Sequence, residues 1–163
     1  MRVPKVYLET TIFNYFFDTD RGEAHTATAE LFREITTGQF EPYTSVYVVE
    51  ELLKTADDEK RENMIALIER YGITVLSEND EAVQLANVYV DEGVVPAKYR
   101  TDGIHIATAA VNELDILVSM NFTHIVKRKT KLTTPAINAL RGYRAVEIYN
   151  PMEVINDEPE KQD

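Results

Sequence analysis

Residues 99–119, YRTDGIHIATAAVNELDILVS, decide the fold class. Thr101 to Glu113 is rich in Ala and other small residues, which predicts a helix suited to tight packing. Ile116 to Ser119 is a short apolar run that reads as a buried strand. Asp102 opens the helix, and the following GIHIATAAV carries no acid before Glu113.

Working outward from this stretch, the same alternation recurs. Upstream, strands are expected at Val3–Leu8, Phe40–Thr44 and Ile73–Leu76. Helices are expected at Ile12–Phe17, Glu23–Thr37, Val46 to about Thr55, Asp57–Tyr71 and Asp80–Glu92. Ser45 and Asn79 or Asp80 are good caps, and Thr10 and Thr11 are good helix starters. Gly38 and Gly72 mark C-terminal stops. Downstream, Thr134–Pro135 is expected to open a helix running to about Arg141, since Pro suits a first turn. Ala145–Tyr149 is a last strand. Strands alternating with helices predict an α/β fold with a mostly parallel sheet and helices on both faces. In such folds ligands lie beyond the carboxyl ends of the strands.

The chain has 163 residues, a length suited to one domain. We expect a single domain over residues 1–155 and an acidic, disordered tail at 156–163. Zero Cys excludes disulfides, Cys-type zinc sites and thiol catalysis. MRVPKVYLE has no signal-peptide core, and no apolar run approaches the roughly 18 residues of a spanning helix. A cytoplasmic protein with no membrane partner is therefore expected.

The formal charge of −11 argues against generic adhesion to nucleic acid. Its distribution modifies that reading. Residues 151–163 hold five acids and one base, whereas Val126–Arg144 holds six bases and no acid. Lys127, Arg128, Lys129 and Lys131 follow closely on a candidate site residue, which makes them candidates for phosphate contact.

Four polar groups fall where strands end. Glu9 follows the first strand, Glu50 and Glu51 lie in the helix after the second, Asp102 opens the Ala-rich helix, and Asn121 follows Ile116–Ser119. Each acid alone is commonly a cap or a helix-dipole partner. Converging carboxylates repel one another unless a cation is present, and hard oxygen donors suit Mg²⁺ or Mn²⁺. His105, three residues after Asp102, is a general-base candidate but more commonly a packed structural group. His124 stands behind it. Phe13, Tyr15, Phe16 and Phe17 suit a core or a dimer face.

These segments resemble the PIN-domain family, including the VapC-type toxins of prokaryotic toxin–antitoxin pairs. YLETTIFNYFFD (7–18) is similar to the family's opening strand and turn, and TSVYVVEELLK (44–54) to the segment bearing its second acid. YRTDGIHIATAAVNELDILVS resembles the third, MNFTHI (120–125) the loop with the fourth polar residue, and GYRAVEIYNPMEVI (142–155) the closing strand. The resemblance implies a three-layer α/β/α sandwich and an Mg²⁺- or Mn²⁺-dependent endoribonuclease acting on RNA. It assigns Glu9, Glu51 and Asp102 to the metal, with Asn121 at the fourth position and Thr10 and His105 supporting them. Glu51 is preferred to Glu50 because Leu52 follows it. Glu at position 9 and Asn at 121 depart from the usual Asp and carboxylate. A small antitoxin and a homodimer are the implied partners. The competing reading is a catalytically weak PIN-like module that binds RNA or a partner protein.

Overall fold

The computed structural model describes residues 2–155, so the expected tail at 156–163 lies outside the described residues. Five strands form one all-parallel sheet: β1 (Lys5–Leu8), β2 (Glu41–Ser45), β3 (Thr74–Leu76), β4 (Ile116–Val118) and β5 (Glu147–Tyr149), in the order β3-β2-β1-β4-β5. Val6, Tyr7 and Leu8 of central β1 are wholly buried, as expected of a strand covered on both faces. Tyr7 pairs in register with Tyr43 and with Leu117. Pro42 lies in β2 before its pairing with β3 begins at Tyr43, so the missing N–H falls where β2 has one neighbour.

Helices α1 (Thr10–Phe17), α2 (Glu23–Thr36), α3 (Val46–Leu53) and α4 (Asp58–Arg70) pack with one another. Phe16 stands edge-on to Phe17, Phe32 and Tyr71; Phe13 and Phe32 are buried in the core, and half-buried Phe16, Phe17 and Tyr71 pack against it. A second group is α5 (Asp80–Asp91), α6 (Arg100–Val111) and α7 (Arg128–Leu140). Gly103 lets α6 approach closely, because a Cβ there would stand 3.2 Å from Val95 Cγ2. Tyr89 of α5 donates its hydroxyl proton to the buried Asn138 of α7. The short α8 (Pro151–Val154) closes the chain against α2. The α/β/α layering expected from the sequence is present.

Three local expectations are corrected. The first strand begins at Lys5 rather than Val3. Glu9, not a threonine, caps α1: its carboxylate accepts the Thr11 N–H, and Thr10 is already helical. Helix α7 starts at Arg128, two turns before Thr134–Pro135, and holds Pro135 inside. Its early turns have no apolar stripe to betray them. Thr133 and Thr134 hydroxyls donate to the carbonyls of Lys129 and Thr130, and buried Thr130 donates to that of His124.

The order of the strands directs attention to one place. From β1 the chain winds outward through β2 and β3, then returns to lay β4 and β5 on the other side. The crevice beyond the carboxyl ends of β1 and β4 is the switch point, where ligands of open parallel sheets bind.

Candidate metal centre

Glu9 stands at that crevice, one residue past β1, and is only 3 % exposed. Its Oε1 accepts three bonds: from Thr11 N–H at 3.2 Å, from the Thr11 hydroxyl at 2.6 Å and from the Ser119 hydroxyl at 2.6 Å. Both hydroxyl protons are committed to Glu9, because Thr11 Oγ1 accepts from Met120 N–H and Ser119 Oγ accepts from Asn121 N–H. Glu9 Oε2 has no donor among the described residues. Burial pushes the Glu9 carboxyl above its ordinary pKa, against the pull of His105 and these donors.

Glu51 comes from α3, which Ser45 caps by accepting from Val48 N–H. Successive helix residues point about 100° apart; Glu50 is exposed and Glu51 is turned inward. Its Oε1 accepts the Thr10 hydroxyl at 2.6 Å and meets His105 Nε2 at 2.6 Å. Here too the second oxygen has no donor among the described residues. Partial burial opposes the charge on Glu51, but the His105 and Thr10 bonds outweigh it and its pKa is lowered.

His105 is wholly buried on α6. Its Nδ1 lies 2.7 Å from the Tyr7 hydroxyl, which lies 2.6 Å from Ser45 Oγ. Burial disfavours the imidazolium, yet the bond to Glu51 and the charges of Glu9, Glu51 and Asp102 prevail and raise its pKa. Ligand atoms of Glu9, Glu51 and His105 lie within 4.8 Å of one another, a spacing one cation can bridge.

Asp102, one turn before His105, is not in that triplet. Its Oδ2 sits 2.8 Å from His124 Nδ1, and the His124 ring lies against Tyr99 with centroids 4.3 Å apart. Oδ1 has no donor among the described residues. Asn121 turns its Oδ1 to the His124 N–H at 3.0 Å, so its side chain shapes the loop after β4. Of the basic run, Lys127, Arg128 and Lys129 have no acidic partner among the described residues. Lys131 stands 3.5 Å from Glu153 and over the Tyr149 ring.

The donor set fits a hard divalent ion. Glu9 and Glu51 each have one oxygen anchored by protein donors and the other left for a ligand, the arrangement in which outer partners orient metal-binding groups. His105 is placed to orient Glu51, and its Nε2 is a further donor if that bond opens. Sequence reasoning did not single out Tyr7, Ser45, Thr11 or Ser119 as site supports. Ser119 is the nearest to a legible signal, a hydroxyl ending an apolar strand.

No protein-family model and no curated protein matches the chain. Among solved structures, the chain is similar to a chain of the crystal structure of VapBC2 from Rickettsia felis bound to a DNA fragment from their promoter. The TM-score is 0.55 at 13 % identity, over 90 % of this chain and 98 % of that one. With so few identical residues, the likeness is one of fold alone.

Proposed function

We propose that the protein is a divalent-metal-dependent endoribonuclease. The observation that carries this reading is the pairing of Glu9 and Glu51, each with one oxygen fastened and one free, at the sheet's switch point. Asp102 and its free Oδ1 complete the acidic face, and Asn121 supports the loop behind it. Mg²⁺ and Mn²⁺ are the ions this chemistry favours.

When bound, such an ion lowers the pKa of a water and neutralises charge on the phosphodiester. The chain's own residues do the rest. Glu9 and Glu51 hold their free oxygens toward the crevice while Ser119, Thr11 and Thr10 fix the carboxylate planes. His105 holds Glu51 charged and in place. Water attacks phosphorus as the bond to the leaving sugar oxygen breaks. The attacking water gives up one proton to solvent and the leaving oxygen gains one from it, so the step balances and no covalent enzyme intermediate is required.

The partner proposed is a small antitoxin protein, as the VapC-type resemblance implies and as fits a neighbour solved as the VapBC2 assembly. A homodimer in the cytoplasm belongs to the same proposal. Among the described residues no helix is long and apolar enough to cross a membrane.

The test is cleavage of single-stranded RNA with Mg²⁺ or Mn²⁺ by wild type, Asp102→Asn and Glu51→Gln. Wild type should cut and both variants should not. Equal cleavage by all three would sink the site assignment. No cleavage by folded wild type would favour a PIN-like module that only binds.

A further inference from the structure

We infer that the groove beside the start of α7 seats an unpaired RNA base against Phe122, with Lys127 and Arg128 holding the flanking phosphates. The inference rests on the endoribonuclease reading and gives that site a substrate-positioning neighbour.

The groove holds about 430 Å³ and is lined by Phe122, Val126, Leu132, Lys127, Arg128 and Lys131, together with Asn150 and Glu153. It opens at the carboxyl ends of β4 and β5, one strand along from the crevice of Glu9 and Glu51. Phe122 immediately follows Asn121 and is 49 % exposed, and Leu132 is 60 % exposed. A half-exposed aromatic ring offers a stacking face, and bases stack on such rings whatever their sequence.

Charge decides between occupants. The chain carries a net −11, yet Lys127 and Arg128 on the groove have no acidic partner among the described residues. Glu153, the groove's one acid, is already engaged. Its Oε1 accepts from Asn150 N–H, and its Oε2 faces Lys131 at 3.5 Å. The concavity therefore combines apolar Phe122, Val126 and Leu132 with cationic Lys127 and Arg128, complementary to a ligand with a flat apolar face and flanking negative charge. A polynucleotide crossing the acidic crevice runs on along the same sheet edge and meets these groups next. An acidic peptide with an apolar side chain has related chemistry, but nothing in it requires an aromatic ring.

The test uses fluorescence anisotropy of a short labelled single-stranded RNA in EDTA, where cleavage plays no part. Phe122→Ala and Phe122→Leu should each weaken binding roughly 5- to 150-fold, while Phe122→Tyr should keep it. Removing Lys127 and Arg128 together should flatten the salt dependence by about 1.4 logarithmic units per decade. Binding to the fully paired duplex should be insensitive to Phe122. The inference is overturned if Phe122→Leu binds as wild type does, or if an acidic Leu-bearing peptide fills the groove without displacing RNA. Tight, Phe122-dependent binding without cleavage in Mn²⁺ would leave the groove standing and remove the nuclease. Cleavage with Phe122-independent binding would do the reverse.

Discussion

His105 Nε2 and Glu51 Oε1 stand 2.6 Å apart, joining the wholly buried His105 of α6 to the half-buried Glu51 of α3. The pair shifts both titrations in the direction of charge: His105 is raised and Glu51 is lowered.

The sign of the linkage follows from those directions. A raised histidine stabilises the fold fully below its unfolded value of about 6.5, and the contribution is lost as pH climbs through the folded pKa. The lowered Glu51 contributes above its unfolded value, near 4.3, and is lost as pH falls. The contribution of the His105–Glu51 pair to the stability of the metal-free protein should therefore be complete between these limits. In Glu51→Gln the His105 pKa should drop, which an NMR titration of its ring carbons reads directly. An unchanged His105 titration would mean the two side chains do not bond in solution.

Glu9→Gln should separate metal binding from stability. The amide oxygen can still accept from Thr11 and Ser119, leaving the NH₂ where the free carboxylate oxygen points. A donor there repels a cation, so calorimetric Mn²⁺ binding should vanish. Because the buried charge also disappears, the melting temperature should stay level or rise. Retained Mn²⁺ binding would remove Glu9 from the ligand set.

Ser119→Ala tests the anchoring of Glu9. It deletes one of three donors to Oε1 and strands the Asn121 N–H that Ser119 accepts. The cost should be about 1–2 kcal/mol in urea unfolding. Glu9, already raised by burial, should rise further. Since ligands bind metal deprotonated, Mn²⁺ affinity should weaken most at low pH. A pH-independent loss would point to distorted geometry instead.

The fold was legible because each αβ step carries its own punctuation. Ser45 and Asn79 cap the helices they were expected to cap, and both sit in extended backbone just before them. The helix of residues 128–140 was half hidden because RKTKLT has no apolar periodicity and is held by threonine hydroxyls. The candidate acids were visible as charges near the ends of strands. Their supports were not, because a local reading has no access to contacts such as Ser119 to Glu9, 110 residues apart, or Tyr7 to His105, 98 apart. Asp102's engagement with His124 is of the same kind.

Asp115 should govern part of the acid response far from the crevice. It accepts from both terminal nitrogens of Arg2 at 3.0 and 2.7 Å and from Lys5 N–H at 2.8 Å, which lowers its pKa against mild burial. A lowered carboxylate contributes above its unfolded pKa and loses that contribution as pH falls through the folded one. Asp115→Asn should therefore be less stable than wild type at pH 7, with the gap closing toward pH 2. A gap that stays constant with pH would show that packing at the start of β4, not charge, is responsible.

Tyr7→Phe isolates the relay behind the site. In the neutral tautomer with hydrogen on Nε2, Ser45 donates to Tyr7, Tyr7 donates to His105 Nδ1, and His105 donates to Glu51, so every proton has a destination. Once His105 is protonated, the Tyr7 hydroxyl reverses and donates to Ser45. Tyr7 serves both states because a hydroxyl can donate or accept, and its own ionisation is remote since burial raises its pKa well above the ordinary value. Phenylalanine fills the same buried space but leaves His105 Nδ1 without a partner and Ser45 with only the Val48 N–H. The fold should lose about 1–3 kcal/mol. The larger consequence is for the imidazole, which loses its bidirectional neighbour while keeping Glu51. Neutral His105 would then hold an Nδ1 lone pair with no donor, and protonated His105 an Nδ1–H with no acceptor, so both states lose the partner that Tyr7 supplies. The ring-carbon titration of Tyr7→Phe should shift away from wild type, and RNA cleavage should fall without a matching change in Mn²⁺ affinity. If instead stability drops while the His105 titration and cleavage stay unchanged, the hydroxyl is a packing element of β1 and no part of the site.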